Sequence, residues 1–513
     1  MTALAPNSLH TTDSFPKALF NTFIELGLAG LSICMFYTVL AVEIIGGRTL
    51  GTDLILGTTC LLTAVLAMNG LARLELVLHP ISEQGLARYE GRPFVRHLVG
   101  PTRRILRLVH GIADEDALAG IFVALLTAVP LLWHRDVFMT FTPSQWHHLV
   151  AMASTLLGIM STANLVSQHL TPVLGLVEGA CSHLLGKRVG GFIGIRLTLS
   201  LGALLSSLTG EPAAAVFKLA YFKDRVKPGM QADAAVGFSM TIGSGGGLTF
   251  FAAPPILIIW SGYLASQLGW ELGTLLLYVG GGCVLYVLVS AHALAECLSE
   301  APPKPLTFPG LNNLMGMLGL GLVVYPHVHY ASHLPLWVMA MDVLLGVLAT
   351  WVASRNTSWC HEEKFVSMWQ PWILSILLIM LDFIGLVGDP LIMALAGIIP
   401  GTFPLPLTAL LLFTLTAWVS HFADNALASR VFIIVPIGLL PTIGQSGADL
   451  LAIAVVTGSL FGSLLTVSAN LPNFYIKGIL GVEPGDWFRS GLKYYWTGSA
   501  YVAWLVLCSF FLT

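Results

Sequence analysis

Two short stretches of the sequence place acidic, hydroxyl and amide side chains inside otherwise apolar segments. Their candidate ligands are Ser207, Thr209 and Glu211 in the first stretch, and Ser420, Asp424 and Asn425 in the second. When the two serines are aligned, Glu211 falls on Asp424. A carboxylate at membrane depth costs at least roughly 2.5–3.5 kcal/mol. Two acids at matching places in apolar sequence therefore indicate ion binding, although each acid could also simply cap a helix.

A second kind of stretch, rich in glycine, threonine and proline, follows each acidic one. The candidate ligands are Ser244, Gly245, Gly246 and Thr249 in the first copy, and Thr466, Ser468, Asn470 and Asn473 in the second. Glycine and proline interrupt helices, and interrupted backbone is tolerated in a membrane where it lines a protein-buried or wet cavity. Paired interruptions in two halves point to a transporter's binding site, where carbonyl and hydroxyl oxygens suit a small cation.

Pro212 predicts how the first acidic stretch folds. Proline disfavours helical geometry in the residue before it but suits the first turn of a new helix. We therefore expect a tip at Thr209–Glu211 and a new helix from Pro212. The second stretch has the same character, with Asp424 or Asn425 as the helix cap. A carboxylate at such an N-terminus is stabilised by the helix dipole.

Two basic residues follow the acids, Lys218 after Glu211 and Arg430 after Asp424. Lys218 returns to the helix face of Glu211, whereas Arg430 lies off the face of Asp424. They are candidate charge partners of the acids, or ligands of an anionic substrate. The alternative is that their long side chains extend to the membrane interface.

The composition is that of a polytopic membrane protein. The chain has 513 residues, of which 56% are hydrophobic and only 10% charged, compared with about 25% charged in a soluble domain. The net charge of −3 and the absence of a basic tract give no indication of a nucleic-acid partner. The seven cysteines have no metal-binding spacing, so neither a cofactor nor a resident metal is predicted.

The apolar runs predict an all-α protein with about ten to twelve transmembrane helices. We divide the chain into three parts. Residues 1–145 contain N-terminal helices and a basic loop. Residues 146–300 contain the first hairpin and broken helix, and residues 301–513 contain the second hairpin and broken helix. The Pro-rich segment 301–309 connects the halves. The arginine-rich loop at 82–115 should be cytoplasmic by the positive-inside rule, and two spans precede it, so the N-terminus should be cytoplasmic too.

Other polar residues in apolar sequence are secondary candidates. Asp342 and Asp382 lie inside predicted spans and could relay protons. Glu75 is read as a local ion pair or an interfacial residue. Three histidines at a span end, namely His327, His329 and His333, have a spacing that could hold a metal, but a wet loop is the favoured interpretation.

In four motifs the chain resembles a sodium/proton antiporter family of the ion-transporter superfamily, which also contains dicarboxylate and arsenite transporters. The motifs are Leu208–Ala214, Gly246–Pro255, Asp424–Ala426 and Leu465–Asn473. The resemblance covers roughly residues 145–510 in outline. It implies two inverted repeats, each with a re-entrant hairpin and a discontinuous helix, a homodimer, and a bacterial inner-membrane location. Glu211 stands where many members have a Ser-Asn-Thr triplet, and Lys218 and Arg430 are basic where apolar residues are expected, which leaves the transported ion open.

The first functional hypothesis is a secondary transporter that exchanges a monovalent cation, Na⁺ before others, for H⁺. Burial penalises an ionised carboxyl group, so Glu211 and Asp424 could bind either the cation or a proton. The second hypothesis keeps the fold but carries an organic anion or oxyanion with Na⁺ or H⁺, using Lys218 and Arg430. A third, from another class, is an integral-membrane enzyme or a non-transporting subunit.

Overall fold

The computed structural model describes residues 142–299, 310–331, 333–355, 404–422 and 424–512, together with short pieces between 370 and 382. These residues belong to one compact unit, His134–Thr513. The predicted N-terminal spans, the basic loop at 82–115, Glu75 and the connector at 301–309 lie outside the described residues. The orientation of the N-terminus accordingly stays a prediction.

The first half is a series of helices that becomes short and interrupted around the acidic stretch. The α-helices are α1 Pro143–Leu185, α2 Lys187–Leu204, α3 Ser206–Thr209, α4 Glu211–Phe222, α5 Gln231–Gly246, α6 Pro254–Ile259, α7 Leu272–Leu275 and α8 Gly281–Glu296. A π-helix at Trp260–Leu264 extends α6, and another at Leu276–Gly280 joins α7 to α8. Together, α7, this π-helix and α8 form one continuous apolar segment, Leu272–Glu296.

The second half contains two peripheral helices followed by a second interrupted region. Its α-helices are α9 Leu311–His329, α10 Leu336–Arg355, α11 Leu405–Phe422, α12 Asn425–Phe432, α13 Ile434–Phe461, α14 Leu471–Leu480, α15 Pro484–Lys493 and α16 Ser499–Leu512. Within the described part of the chain no strand occurs, and Val226 and Leu298 form an isolated β-bridge. The predicted all-α class is confirmed for these residues.

Seven of the described helical segments are long and apolar enough to cross a membrane. They are Pro143–Ser167, Val189–Thr209, Leu272–Glu296, Leu336–Arg355, Leu405–Phe422, Asn425–Phe461 and Tyr495–Leu512. Several carry large apolar side chains on their outer faces, and Phe511 in α16 is 80% exposed. Apolar side chains in such positions are satisfied by lipid, so the fold is that of an integral membrane protein.

Glycine and proline define the interruptions, as the sequence predicts. Gly210 separates α3 from α4 with a φ of 79°, a conformation that favours glycine. The new helix begins at Glu211, one residue earlier than predicted, with Pro212 in its first turn. In the second half Gly444 interrupts α13 with a φ of 72°.

The centre of the fold consists of two helices that are buried on all sides. Every residue of α5 from Ala234 to Gly246 is buried, and so is every residue of α13 from Gly447 to Phe461. Each of these helices ends where a broken segment begins. Their C-terminal ends, rich in small residues, therefore place the candidate ligands deep inside the protein.

Candidate functional site

Glu211 lies at the centre of the candidate site. It is the first residue of α4, and its side chain is completely buried. Its Oε2 accepts a hydrogen bond from Nδ2 of Asn470 at 2.7 Å, whereas Oε1 is buried without a hydrogen-bond partner. Asn470 caps α14, so residues from the two halves meet at this carboxylate. An unpaired buried carboxylate oxygen is costly, and a bound cation or proton would remove that cost.

The C-terminal end of α5 closes one side of the carboxylate. A Cβ atom on Gly246 would lie 2.9 Å from Cγ of Glu211 and 3.0 Å from its Oε1. One turn earlier, a Cβ on Gly243 would lie 3.5 Å from Nδ2 of Asn470. Glu211, Asn470 and the end of α5 therefore form one cluster. Because a helix C-terminus carries partial negative charge, this cluster favours a positive ion.

Asn473 organises the second broken segment next to this cluster. Its Nδ2 donates to the carbonyl of Ser463 at 2.9 Å and to that of Thr466 at 3.1 Å. Its Oδ1 is buried and has no hydrogen-bond partner. The amide therefore holds the interrupted backbone together and leaves one oxygen available as a ligand.

The two acidic stretches are attached to the broken segments by matching hydroxyl hydrogen bonds. In the first half, Ser206 donates to the carbonyl of Ile242 at 3.0 Å and Thr249 donates to that of Ser207 at 2.6 Å. In the second half, Ser420 donates to the carbonyl of Ser459 at 2.9 Å, and Thr466 donates to that of His421. Residues 206 and 207 are each 214 positions before 420 and 421, while 242 and 249 are each 217 positions before 459 and 466.

Two glycines complete this correspondence. A Cβ on Gly245 would collide with the carbonyl of Ala203 and lie 2.6 Å from Oγ of Ser206. A Cβ on Gly462, 217 positions later, would lie 3.0 Å from the carbonyl of Ala417 and collide with Ser420. Close helix approach thus requires glycine at the same place in both halves.

This correspondence differs by one residue from the sequence alignment. The hydrogen bonds match Ser206, not Ser207, with Ser420, and the same offset matches Glu211 with Asn425 and Gly210 with Asp424. The helix starts agree, since Gly210 caps α4 and Asp424 caps α12. The acids are therefore at neighbouring rather than identical positions of the two stretches.

Asp424 acts as a helix cap, which was the structural alternative for this acid. Its Oδ1 accepts hydrogen bonds from the backbone N–H groups of Ala426 at 2.8 Å and Leu427 at 3.2 Å. The residue is half-buried. Asn425 is buried, and its Nδ2 has no hydrogen-bond partner. The second half thus presents a capping acid and an amide with an unpaired Nδ2, where the first half presents a carboxylate with one unpaired oxygen.

The two basic residues contact groups other than the predicted acids. Nζ of the completely buried Lys218 donates to Oγ1 of Thr241 at 2.6 Å. Nε of Arg430, also buried, donates to Oδ1 of Asp382 at 2.6 Å. These contacts give each basic side chain a polar partner other than the acid that it follows in the sequence. Asp382, predicted as a proton relay, is the ion-pair partner of Arg430.

The remaining predicted ligands lie in the first acidic stretch and in the two broken segments. Ser207 Oγ donates to the carbonyl of Leu204 at 2.6 Å, and Thr209 Oγ1 to that of Leu205 at 3.2 Å. Ser244 is buried, and its Oγ makes no hydrogen bond. The backbone of Ser468 lies in a short 3₁₀ helix, and its side chain is outside the described atoms.

The three histidines at the end of α9 diverge rather than converge. His329 stacks on Tyr325 with ring centroids 5.8 Å apart, and His333 stacks on His147 at 4.2 Å. His327 is completely buried, so the wet-loop interpretation is wrong for this residue. Among the residues that the structure describes, no group of three His, Cys, Asp or Glu side chains could hold a metal.

Two contributors to the site, Ser206 and His421, are not among the predicted ligands. Ser206 takes the role predicted for its neighbour Ser207. The carbonyl of His421 accepts from Thr466, and its Nδ1 contacts the carbonyl of Gly462 at 2.7 Å. An alignment scored on helix-cap positions as well as on acids would have found the shifted register.

Comparison with known proteins assigns no relative. None of the protein-family models matches the chain, and none of the curated proteins does. The geometry of the Glu211 site described above is therefore the basis for assigning a function.

Proposed function

We propose that this protein is a secondary transporter that exchanges a monovalent cation, in the first place Na⁺, for H⁺ at Glu211. The observation that carries the proposal is the state of that carboxylate. It is fully buried, one oxygen is held by Asn470 from the other half, and the other oxygen is free. A carboxylate held in this way has one side available for a cation or a proton.

The cation and the proton compete for Oε1 of Glu211, and this competition couples their transport. In a buried site of low dielectric, charge interactions are much stronger than in water. An ionised Glu211 would bind the cation, and a protonated one would release it, so the two ligands exclude each other. If the occupied site is exposed alternately on the two sides of the membrane, net exchange follows without a further energy source.

The helix ends around Glu211 support a cation over an anion. The end of α5 contributes partial negative charge beside Oε1. The basic side chains that an anion would use, Lys218 and Arg430, are bonded to Thr241 and Asp382. The second hypothesis, an organic anion or oxyanion on the same fold, is accordingly the less favoured one.

The two carboxyl groups do not have equal roles in this proposal. Glu211 is the shared ligand of cation and proton, whereas Asp424 caps the start of α12. The amide of Asn425 takes the position that corresponds to Glu211. One carboxylate in each protein chain therefore limits the exchange to one proton per cation-binding event at this site.

The matching hydroxyl bonds and glycines support an origin in two repeats. We propose that these are the inverted repeats implied by the antiporter resemblance, each with a re-entrant hairpin ending near Gly210 or Asp424 and a helix broken near Thr249 or Thr466. A homodimer in the bacterial inner membrane, with a cytoplasmic N-terminus, completes the proposed arrangement.

Flux in proteoliposomes tests the proposal. Purified protein with an imposed pH gradient should take up isotopic Na⁺, and Glu211→Gln should abolish the uptake while remaining folded. Glu271→Gln, at an exposed position, is the matched control and should retain full uptake. Uptake by Glu211→Gln at the wild-type rate would refute the assignment. Uptake of a labelled carboxylate or oxyanion instead of Na⁺ would favour the second hypothesis, and protein without any flux would favour the third.

A further inference from the structure

A buried histidine and aspartate face each other outside the Glu211 site. His327 lies in α9 and Asp342 in α10, and both side chains are completely buried. Nε2 of His327 is 3.0 Å from Oδ2 of Asp342. Nδ1 of the same ring is 2.9 Å from the carbonyl of Val323. Both ring nitrogens therefore face oxygen atoms.

Counting hydrogens decides how many protons this arrangement holds. A carbonyl can only accept, so Nδ1 must carry a hydrogen and donate it to Val323. Nε2 of a neutral ring with that tautomer is an acceptor. Because Oδ2 of an ionised aspartate is also an acceptor, one further proton must lie between Nε2 and Oδ2. The pair is then either imidazolium with carboxylate or imidazole with carboxylic acid, and either form holds the same number of protons.

The surroundings of the pair favour retention of that proton. Oδ1 of Asp342 is buried without a hydrogen-bond partner. An ionised carboxylate there would lose its hydration and would have no donor at this oxygen, so it is energetically unfavourable without a shared proton. Helix α1 presents Gly158, where a Cβ would lie 2.6 Å from Cβ of Asp342. The first broken segment presents Phe251, whose ring centroid is 6.4 Å from that of His327. In the described part of the chain, the titratable side chain that faces Asp342 is His327.

We propose that His327 and Asp342 form a proton-binding site distinct from Glu211. The site lies beside the broken segment that carries Phe251, two residues after Thr249. This inference goes beyond cation exchange, because the pair binds its proton whether or not the protein transports an ion.

Thermal unfolding as a function of pH tests the site without any transport assay. Above the ordinary histidine value of about 6.5 the unfolded chain releases this proton, whereas the folded pair retains it. The folded state then binds one more proton, so the unfolding equilibrium shifts toward the unfolded state about tenfold for each pH unit of increase. Asp342→Asn keeps a donor opposite Nε2 but cannot share a proton. We expect the wild type to lose stability relative to Asp342→Asn as the pH rises from about 6.5 to 8.5.

A matched control is Asp449→Asn. Oδ1 of Asp449 accepts from Nε1 of Trp270 at 2.8 Å and from Nε2 of Gln445 at 2.9 Å, both of them donors that need no shared proton. This variant should follow the wild-type pH dependence. Parallel curves for wild type and Asp342→Asn would overturn the proposal.

If Asp342→Asn does not fold, ¹⁵N-histidine NMR of the wild-type protein provides a second measurement. The His327 signal is assigned by its loss in His327→Gln. At pH 7, Nε2 should show the shift of a protonated or hydrogen-bond-accepting nitrogen. The shift of a bare Nε2 lone pair would show that no proton lies between the two groups and would overturn the proposal.

Discussion

Removing the single donor on Glu211 should weaken cation binding in a pH-dependent way. In Asn470→Ala, Oε2 loses the 2.7 Å hydrogen bond from Nδ2, and both carboxylate oxygens are left without a donor. A hydrogen bond to a charged group contributes about 1.5–3 kcal/mol. This loss applies to the ionised form only, so it shifts the competition toward the proton. Since each 1.4 kcal/mol is a factor of about ten, the apparent Na⁺ affinity should fall roughly tenfold to 150-fold.

The assay is the Na⁺ concentration dependence of uptake in proteoliposomes at several pH values. The loss of affinity should be largest at low pH, where protons compete best, and should shrink as the pH rises. Asn313→Ala is the control, because Oδ1 of Asn313 contacts Nδ1 of His169 at 2.9 Å in another part of the fold. An unchanged apparent Na⁺ affinity in folded Asn470→Ala at every pH would refute the argument that Asn470 stabilises the ionised carboxylate.

Three further predictions concern the neighbouring groups. Arg430→Met should lower the free energy of unfolding by about 3–5 kcal/mol, because it leaves the buried carboxylate of Asp382 without its ion-pair partner. Adding Asp382→Leu should recover much of this stability, as measured by thermal unfolding. A further, additive loss in the double variant would contradict the ion pair. Gly245→Ala should lower the free energy of unfolding by about 1–3 kcal/mol or more, because the added methyl group overpacks the helix contact. Gly478→Ala, with open space around its Cβ, should cause no such loss. Equal melting temperatures of the two variants would contradict the close helix approach at Gly245. Lys218→Met should retain Na⁺/H⁺ exchange, since this amine lies outside the proposed site; loss of flux in folded protein would place it inside.

The sequence predicted the elements of the site because their signals are local. Pro212 and Gly210 determine where α4 begins, and the Gly-rich end of α5 follows from composition alone. Hydropathy likewise predicted the helical class and most span positions in the described part of the chain. These features depend on a few adjacent residues, so no tertiary information was needed.

Long-range pairing could not be predicted in the same way. Asn470 and Glu211 are 259 positions apart, and nothing local indicates that the amide reaches the carboxylate. The partner of Arg430 was missed for the same reason, because several acids in apolar sequence were equally plausible. The alignment of Glu211 with Asp424 matched residue types, whereas the hydrogen bonds from serine and threonine hydroxyls to backbone carbonyls match positions relative to the helix cap.

The threonine hydroxyls have a mechanical consequence. Thr249 and Thr466 each donate a hydrogen bond from a broken segment to the backbone of the neighbouring acidic stretch. Ser206 and Ser420, at the adjacent residues of those stretches, donate to the ends of α5 and α13. These hydrogen bonds join each acidic stretch and its broken segment into one unit. In the proposed transport cycle, moving each unit as a whole would keep these hydrogen bonds, whereas opening a unit internally would break them, so the ion would travel with its ligands.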